Sequence, residues 1–424
     1  MERKSITWVH CLILIIALVA GTGLIANDAY ATNGDNLISI GPISRAMGGV
    51  GIAAPQDAIS AVFSNPAAMC FGLYCPGSEF NFAGTVFMPK ATARIQLPGY
   101  DSGKQSSDSD LFAIPAIGIS SPISQNLRFG IAAYGVTGLG VDYRDSITMP
   151  FGPNGETLYT NLQIMKFAPS LAYMVNPNFS IGAALHINYG ALDFGSGTSA
   201  NFAFGAELGA IYKAGPLSLG AVYISPQSIK HDNVFNLDRY STDSTTLDDL
   251  KLESPQIFGV GIAYEPLQNV LFIETDAKWL NWGDADGYED FGWKDQWVFN
   301  IGVQYKPTPK LALRAGYNYG KSPVRSHSWD DSKGFVDVQG KQVPASLYEI
   351  LRIAGFPAIV EHHVTAGLGY QLTKSVSLDL GYMHAFKNTV KETGTVCSPQ
   401  GCGPGSVEAS LYEDSLEFGI TWRF

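Results

Sequence analysis

Beyond residue 26 the sequence contains no apolar run that could cross a bilayer as a helix, which takes about 20 residues. Charge is sparse too, at 15% of residues against a usual share of about 25%. What charge there is leans acidic, with 27 Lys and Arg against 38 Asp and Glu and a net charge of -11. A nucleic-acid partner is excluded on that ground, because phosphate binding needs a basic face. Motifs of enzyme chemistry are missing as well. His186, His231, His327, His362, His363 and His384 are scattered, with no nucleophile elbow, no H-E-x-x-H and no metal-ligand spacing. Glu361-His362-His363 puts its two imidazoles on opposite faces of an alternating segment. The expectation is a protein without catalytic residues, metal or cofactor. An enzyme acting on lipid stays as an alternative, since a triad needs no sequence proximity.

What is abundant is glycine, 46 residues, and aromatic side chains, including 20 Tyr and 23 Phe. A chain this apolar and aromatic without long apolar runs suits a β-barrel, which hides its membrane face at alternate positions. The N-terminus reads as an export signal. Arg3 and Lys4 are followed by an apolar stretch from Leu12 to Ala20, and Ala29-Tyr30-Ala31 offers small residues for cleavage. The signal peptide is therefore expected at 1–31 and the mature chain from Thr32. Cys11 precedes the apolar stretch and is not a lipoprotein cysteine.

From residue 78 onward apolar and polar residues alternate in segments of roughly ten. In the last segment Leu416, Phe418, Ile420, Trp422 and Phe424 share one face, while Ser415, Glu417, Thr421 and Arg423 share the other. Fourteen candidate strands follow, near 78–97, 109–120, 126–141, 162–175, 179–190, 200–212, 217–230, 251–264, 270–282, 296–305, 311–320, 360–372, 375–389 and 409–424. Short turns such as Asn176-Pro177-Asn178 and Gly215-Pro216 alternate with long connections near 142–161, 231–250, 283–295, 321–359 and 390–408. Short periplasmic turns opposite longer outer loops are the asymmetry of an outer-membrane barrel. The reading is an all-β transmembrane antiparallel barrel over 78–424, in the outer membrane of a Gram-negative bacterium. Its expected partners are membrane lipid and lipopolysaccharide, with the barrel-assembly machinery recognising the terminal Phe424. It is expected to be a monomer. Polar loops near 231–250 and 321–359 would also suit a structural or adhesin barrel.

Four cysteines follow the signal peptide, as Cys70 and Cys75, then Cys397 and Cys402, both pairs spaced C-x4-C. A hydrocarbon core of about 30 Å separates the pairs, and an oxidising periplasm favours one local disulfide in each. A metal site would need all four to converge and has no flanking histidine.

Residues 32–77 do not alternate and are rich in Gly and Ala, as in Met47-Gly48-Gly49-Val50-Gly51 and Asn65-Pro66-Ala67-Ala68. Small residues allow close packing, so this segment is expected to fold into the lumen as a hatch. Here the chain resembles the FadL-type outer-membrane transporters of long-chain fatty acids and other hydrophobic compounds. The resemblance rests on Ser44-Arg45-Ala46-Met47-Gly48-Gly49 leading to Asn65-Pro66-Ala67, and on Asp276-Ala277-Lys278-Trp279-Leu280-Asn281-Trp282. It continues through Trp293-Lys294-Asp295-Gln296-Trp297, Leu313-Arg314-Ala315-Gly316-Tyr317-Asn318-Tyr319 and Lys321-Ser322-Pro323-Val324 to the terminal aromatic strand. The chain departs from the best-known members in its cysteine pairs.

The resemblance implies fourteen strands around a hatch, passive ligand-gated diffusion, and sideways exit where the third strand is kinked. Gly135, Gly138 and Gly140 mark that strand, and interior Gly signals either a bend or ordinary lumen packing. Asn65, Pro66 and Ala67 are the candidate gate, since Pro fixes φ and Asn can bond nearby backbone. A fatty-acid carboxylate in an apolar lumen needs a cationic partner. Alternation turns Lys166, Lys278 and Arg314 inward as candidates, with Glu274 and Asp276 as their competing partners. Aromatic hydrocarbons are the alternative cargo.

Overall fold

The computed structural model describes residues 32–71, 77–149, 156–236, 246–398 and 401–424. The expected signal peptide at 1–31 and Cys75 lie outside the described residues. Fourteen antiparallel strands close a barrel. They are β1 (Glu79–Leu97), β2 (Phe112–Pro122), β3 (Leu127–Asp142), β4 (Tyr159–Asn176), β5 (Phe179–Asp193), β6 (Ser199–Ala214) and β7 (Leu217–Ile224), followed by β8 (Ile257–Leu267), β9 (Leu271–Leu280), β10 (Gln296–Thr308), β11 (Leu311–Gly320), β12 (His362–Gln371), β13 (Val376–Ser398) and β14 (Gly401–Arg423). Each pairs with its sequence neighbour, and β1 pairs with β14 from Glu79↔Arg423 to Gln96↔Ser406, so the sheet closes on itself.

Alternation decides which solvent each side chain meets. On β14, Leu416, Phe418, Ile420 and Trp422 are exposed on the membrane face, whereas Ser415, Glu417 and Thr421 are buried in the lumen. Tyr173, Tyr212, Tyr264, Tyr370 and Trp422 sit exposed near the short-turn ends of their strands, forming an aromatic girdle.

Each candidate segment is realised as one barrel strand, with three corrections at the outer side. The segments near 217–230 and 251–264 each break at a proline. β7 ends before Pro226 and β8 starts after Pro255, because neither ring carries a ladder N–H. The chain between them makes a separate hairpin, Gln227–Phe235 against Asp248–Ser254. The connection near 390–408 is largely strand, since β13 and β14 pair again past a register shift between Ala385 and Asn388 and continue out to Ser398↔Gly401. Its tip is closed by the Cys397–Cys402 disulfide. The connection at 321–359 is not a polar loop throughout. It contains a third helix, α3 (Ala345–Ile350), and a π turn (Leu351–Gly355), in which Leu347, Ile350, Leu351, Ile353 and Ala354 are buried. These apolar residues, with Phe356, Ile359 and Val360, form a cap over the outer mouth.

Candidate functional site: the hatch and the chamber above it

The hatch fills the lumen with two short helices, α1 (Pro42–Ala46) and α2 (Ala58–Ser64), followed by a 3-10 turn (Pro66–Cys70). Asp57 caps α2 by accepting the Ser60 N–H at 2.7 Å. Short helices bury few of their own backbone groups in bonds, so the rest must find partners. The barrel wall supplies them. Gly51 and Ile52 donate to Asp276 at 2.9 and 3.3 Å, and Ala53 and Ala54 donate to Glu274 at 2.7 and 3.2 Å. Ala58 donates to Glu79 and to Asn81 at 2.8 and 2.9 Å. The Gly48 N–H reaches Thr365 at 2.9 Å, and Asn300 donates to the Gly49 carbonyl at 2.9 Å. Arg45 forms a buried ion pair with Glu417 of β14 at 2.7 Å. Glu274 and Asp276 thus serve mainly as acceptors for hatch backbone.

Asn65 holds the centre. Its Nδ2 lies 2.8 Å from the Ile52 carbonyl and 3.3 Å from the carbonyls of Ala210 and Ala221, while its Oδ1 accepts the Ala67 N–H at 3.1 Å. One side chain therefore ties two parts of the hatch to β6 and β7. The Ala67 carbonyl accepts from Ser180 of β5 at 2.8 Å. This closeness requires glycine in the wall: a Cβ on Gly209 would lie 2.0 Å from Asn65 Oδ1, and one on Gly182 would lie 2.3 Å from the Ala67 nitrogen. Cys70 is buried in the 3-10 turn.

Above the hatch is an apolar chamber of about 70 Å³, lined by Leu37, Ile38, Ile52, Phe63, Tyr134, Val136, Val222 and Leu280. Lys166, His186 and Lys278 also face it. Lys166 lies 3.3 Å from His186, which in turn lies 3.0 Å from Glu207. The structure brings Lys166 and Lys278 to one chamber and puts Arg314 elsewhere. Arg314 lines a cleft with Gln304, Tyr370 and Asp379, and it pairs with Asp379 at 2.7 Å and Gln304 at 2.7 Å. A cavity that holds benzene measures about 150 Å³, so the closed chamber has to widen before it takes even one ring.

The wall opens beside this chamber at β3. The ladder to β4 slips between Gly135 and Thr137, leaving Val136 as a bulge. The ladder to β2 ends at Ala116↔Tyr134, next to Pro115, which has no N–H to offer. Above that point β3 pairs with the hatch instead, the Leu37 N–H donating to the Val136 carbonyl at 3.1 Å. Gly135 therefore borders the bulge, whereas Gly138 and Gly140 both lie in the ladder to β4 that resumes beyond it. The result is a seam between β2 and β3, closed from inside by hatch residues Asn36 and Leu37.

The outer side of the molecule holds an aromatic cluster that alternation could not reveal, because it sits on loops. Trp282, Tyr288 and Trp293 pack with centroids 4.7 to 5.0 Å apart, and Phe291 and Phe194 meet Phe356 of the cap at 6.2 and 5.6 Å. Tyr288 donates a hydrogen bond to Asp35 of the hatch, linking this cluster to the plug.

Three comparisons bear on this arrangement. The sequence profile of the family described as outer membrane protein transport protein (OMPP1/FadL/TodX) matches residues 28–271 and 201–331. No curated protein sequence matches. Among solved structures, the toluene transporter TodX of P. putida is similar at a TM-score of 0.63 and 18% identity, covering 92% of this chain and 99% of that one. A FadL homologue of Pseudomonas aeruginosa is similar at 0.67 and 15%, covering 93% and 99%. The toluene transporter TbuX of Ralstonia pickettii is similar at 0.62 and 16%, covering 92% and 99%.

Proposed function

Because the chain belongs to the outer membrane protein transport family (OMPP1/FadL/TodX), we propose that it carries hydrophobic molecules inward through its barrel by passive diffusion gated by the hatch. The observation that carries this reading is the apolar chamber seated on a hydrogen-bonded plug beside a broken wall ladder. Cargo reaches the chamber from the outer side and displaces the hatch contact to Val136. It then leaves sideways through the seam between β2 and β3, where Gly135 and Gly138 let the strand bend. Asn65, Pro66 and Ala67 act as the hinge that keeps the plug against the wall. No step is catalytic and no cofactor is used. The unit is a single barrel, delivered by its signal peptide, inserted by the barrel-assembly machinery and surrounded by lipid and lipopolysaccharide, with the hatch at 32–77 and the barrel at 78–424. A local Cys70–Cys75 disulfide belongs to the same reading.

Long-chain fatty acids are the first candidate cargo, with Lys166 and Lys278 as partners for the carboxylate. Arg314, tied to Asp379, serves a departing ligand at most. Charge balance favours a second reading. Lys166 and Lys278 share their surroundings with Glu207, Glu274 and Asp276, so the two lysines of the chamber are already matched by acids, a setting that suits a neutral aromatic hydrocarbon. Uptake of labelled oleate and labelled toluene, in cells lacking their own transporter, separates the two. Either compound should enter with the native chain, and Asn65→Ala should lose that uptake while still inserting. Entry of neither compound through a correctly inserted barrel would end the transport reading.

A further inference from the structure

The outer cap carries a cluster that transport leaves unused. His327, Glu349 and Glu392 come from three segments: the strand-free stretch after β11, helix α3, and the outer extension of β13. One donor atom from each lies within 4.8 Å of the other two. His327 Nδ1 is 2.9 Å from Glu349 Oε1. Arg352 stands against the opposite oxygens, holding Glu349 Oε2 at 2.7 Å and pairing tightly with Glu392 Oε1. The His327 main-chain N–H also donates to Glu392 Oε1 at 2.9 Å. One oxygen of each acid is left over. Glu349 Oε1 faces the imidazole, and Glu392 Oε2 has no hydrogen-bond partner although its side chain is 0% exposed.

The carboxylates of Glu349 and Glu392 therefore face one another beside the imidazole, their donor atoms within 4.8 Å. Two acceptors cannot satisfy each other without something positive between them, and a buried unpaired carboxylate oxygen is costly. We propose that His327 Nδ1, Glu349 Oε1 and Glu392 Oε2 bind one divalent transition-metal ion of the zinc type, which pins the cap to β13. One imidazole with two carboxylate oxygens is a zinc-like donor set, whereas calcium takes about 6 to 8 oxygens. Bonds of about 2.0 to 2.2 Å place tetrahedral donors on the order of 3.3 Å apart. His327, 43% exposed at its side chain, can rotate to close the difference and leaves the fourth position to water. Arg352 cancels only one of the two carboxylate charges. By fixing the other oxygens it orients both ligands, as an outer-shell partner does.

Full-length chain in detergent, stripped with EDTA and titrated with Zn2+, tests this by calorimetry and by metal analysis after dialysis. The site requires one zinc per chain, at least tenfold weaker binding in His327→Ala, and loss in Glu392→Gln. Because Glu392 is buried against Arg352, that variant can disturb the cap; His327→Ala, at a half-exposed position, keeps the test decisive when its barrel shows native heat-modifiable mobility. Excess Ca2+ or Mg2+ should not displace the zinc. Absence of bound zinc in the native chain, native affinity in His327→Ala, or displacement by Ca2+ would each overturn the assignment.

Discussion

At the scale of single residues, the lumen is shaped by what is left out as much as by what is present. Gly316 of β11 faces Met47 and Gly48 so closely that a Cβ there would lie 2.1 and 2.2 Å from hatch backbone atoms. Neither side can yield, because one is plug backbone and the other is wall. Gly316→Val should therefore unseat the hatch while the barrel still folds, read as raised ion conductance in planar bilayers with unchanged heat-modifiable mobility. Asp35 gives a residue-scale dependence on pH. Burial pushes its carboxyl up from the usual 3.8 to about 7, against the hydrogen bond from Tyr288. A group whose pKa is raised on seating stabilises the seated state at low pH and loses that contribution as pH rises. The hatch tip should thus be held best near pH 4 and loosen up to about pH 7. Limited proteolysis across that range should show rising cleavage in the native chain and a flat profile in Asp35→Asn.

At the scale of elements, the strand-3 bulge is the feature most open to test. Removing Val136 would let Gly135 and Thr137 pair in sequence with Met165 and Ile164. The seam should then close, and uptake should fall to background with the barrel intact; full uptake by the deletion variant would place the exit elsewhere. This element also shows what the sequence could tell. Strands were legible because one membrane solvent and one lumenal solvent impose a period of two, as in Leu416 to Phe424. The Gly-rich character of Gly135 to Gly140 was visible, but a bend could not be told from lumen packing. That distinction depends on the β2–β3 ladder stopping at Ala116↔Tyr134, one residue short of Pro115. The cap was missed for a related reason. Ala345–Ile350 is a short helix inside a long connection, and its burial depends on partners such as Thr160, which donates to the Gly355 carbonyl at 2.6 Å. Lys166, Lys278 and Arg314 do all face inward, as alternation implies. Their separation into two places, and the Arg314–Asp379 pair 65 positions apart in sequence, belong to barrel register, which periodicity alone does not fix.

At the scale of the molecule, the closed wall divides the chain between two solvents, and a substitution's cost depends on which it meets. Ile262 of β8 is 50% exposed on the membrane face. Ile262→Arg should destabilise the inserted barrel by about 1 to 2 kcal/mol, between the costs of a cation at the interface and at the bilayer midplane, measured by urea unfolding in lipid vesicles. Ser218, on the lumen side of β7, should accept Ala at a small fraction of that.

The hatch lines one side of the chamber, and a second, smaller apolar space lies under the cap between Leu162, Leu250, Phe291 and Phe356. A compartment too small for its cargo until it widens holds one guest and must reset before it can take the next. Its throughput is then set by how often a door swings and not by how many molecules wait outside. Import through such a device should level off as the external concentration climbs, and two guests supplied together should slow one another, where an open pore would pass both in proportion to their abundance.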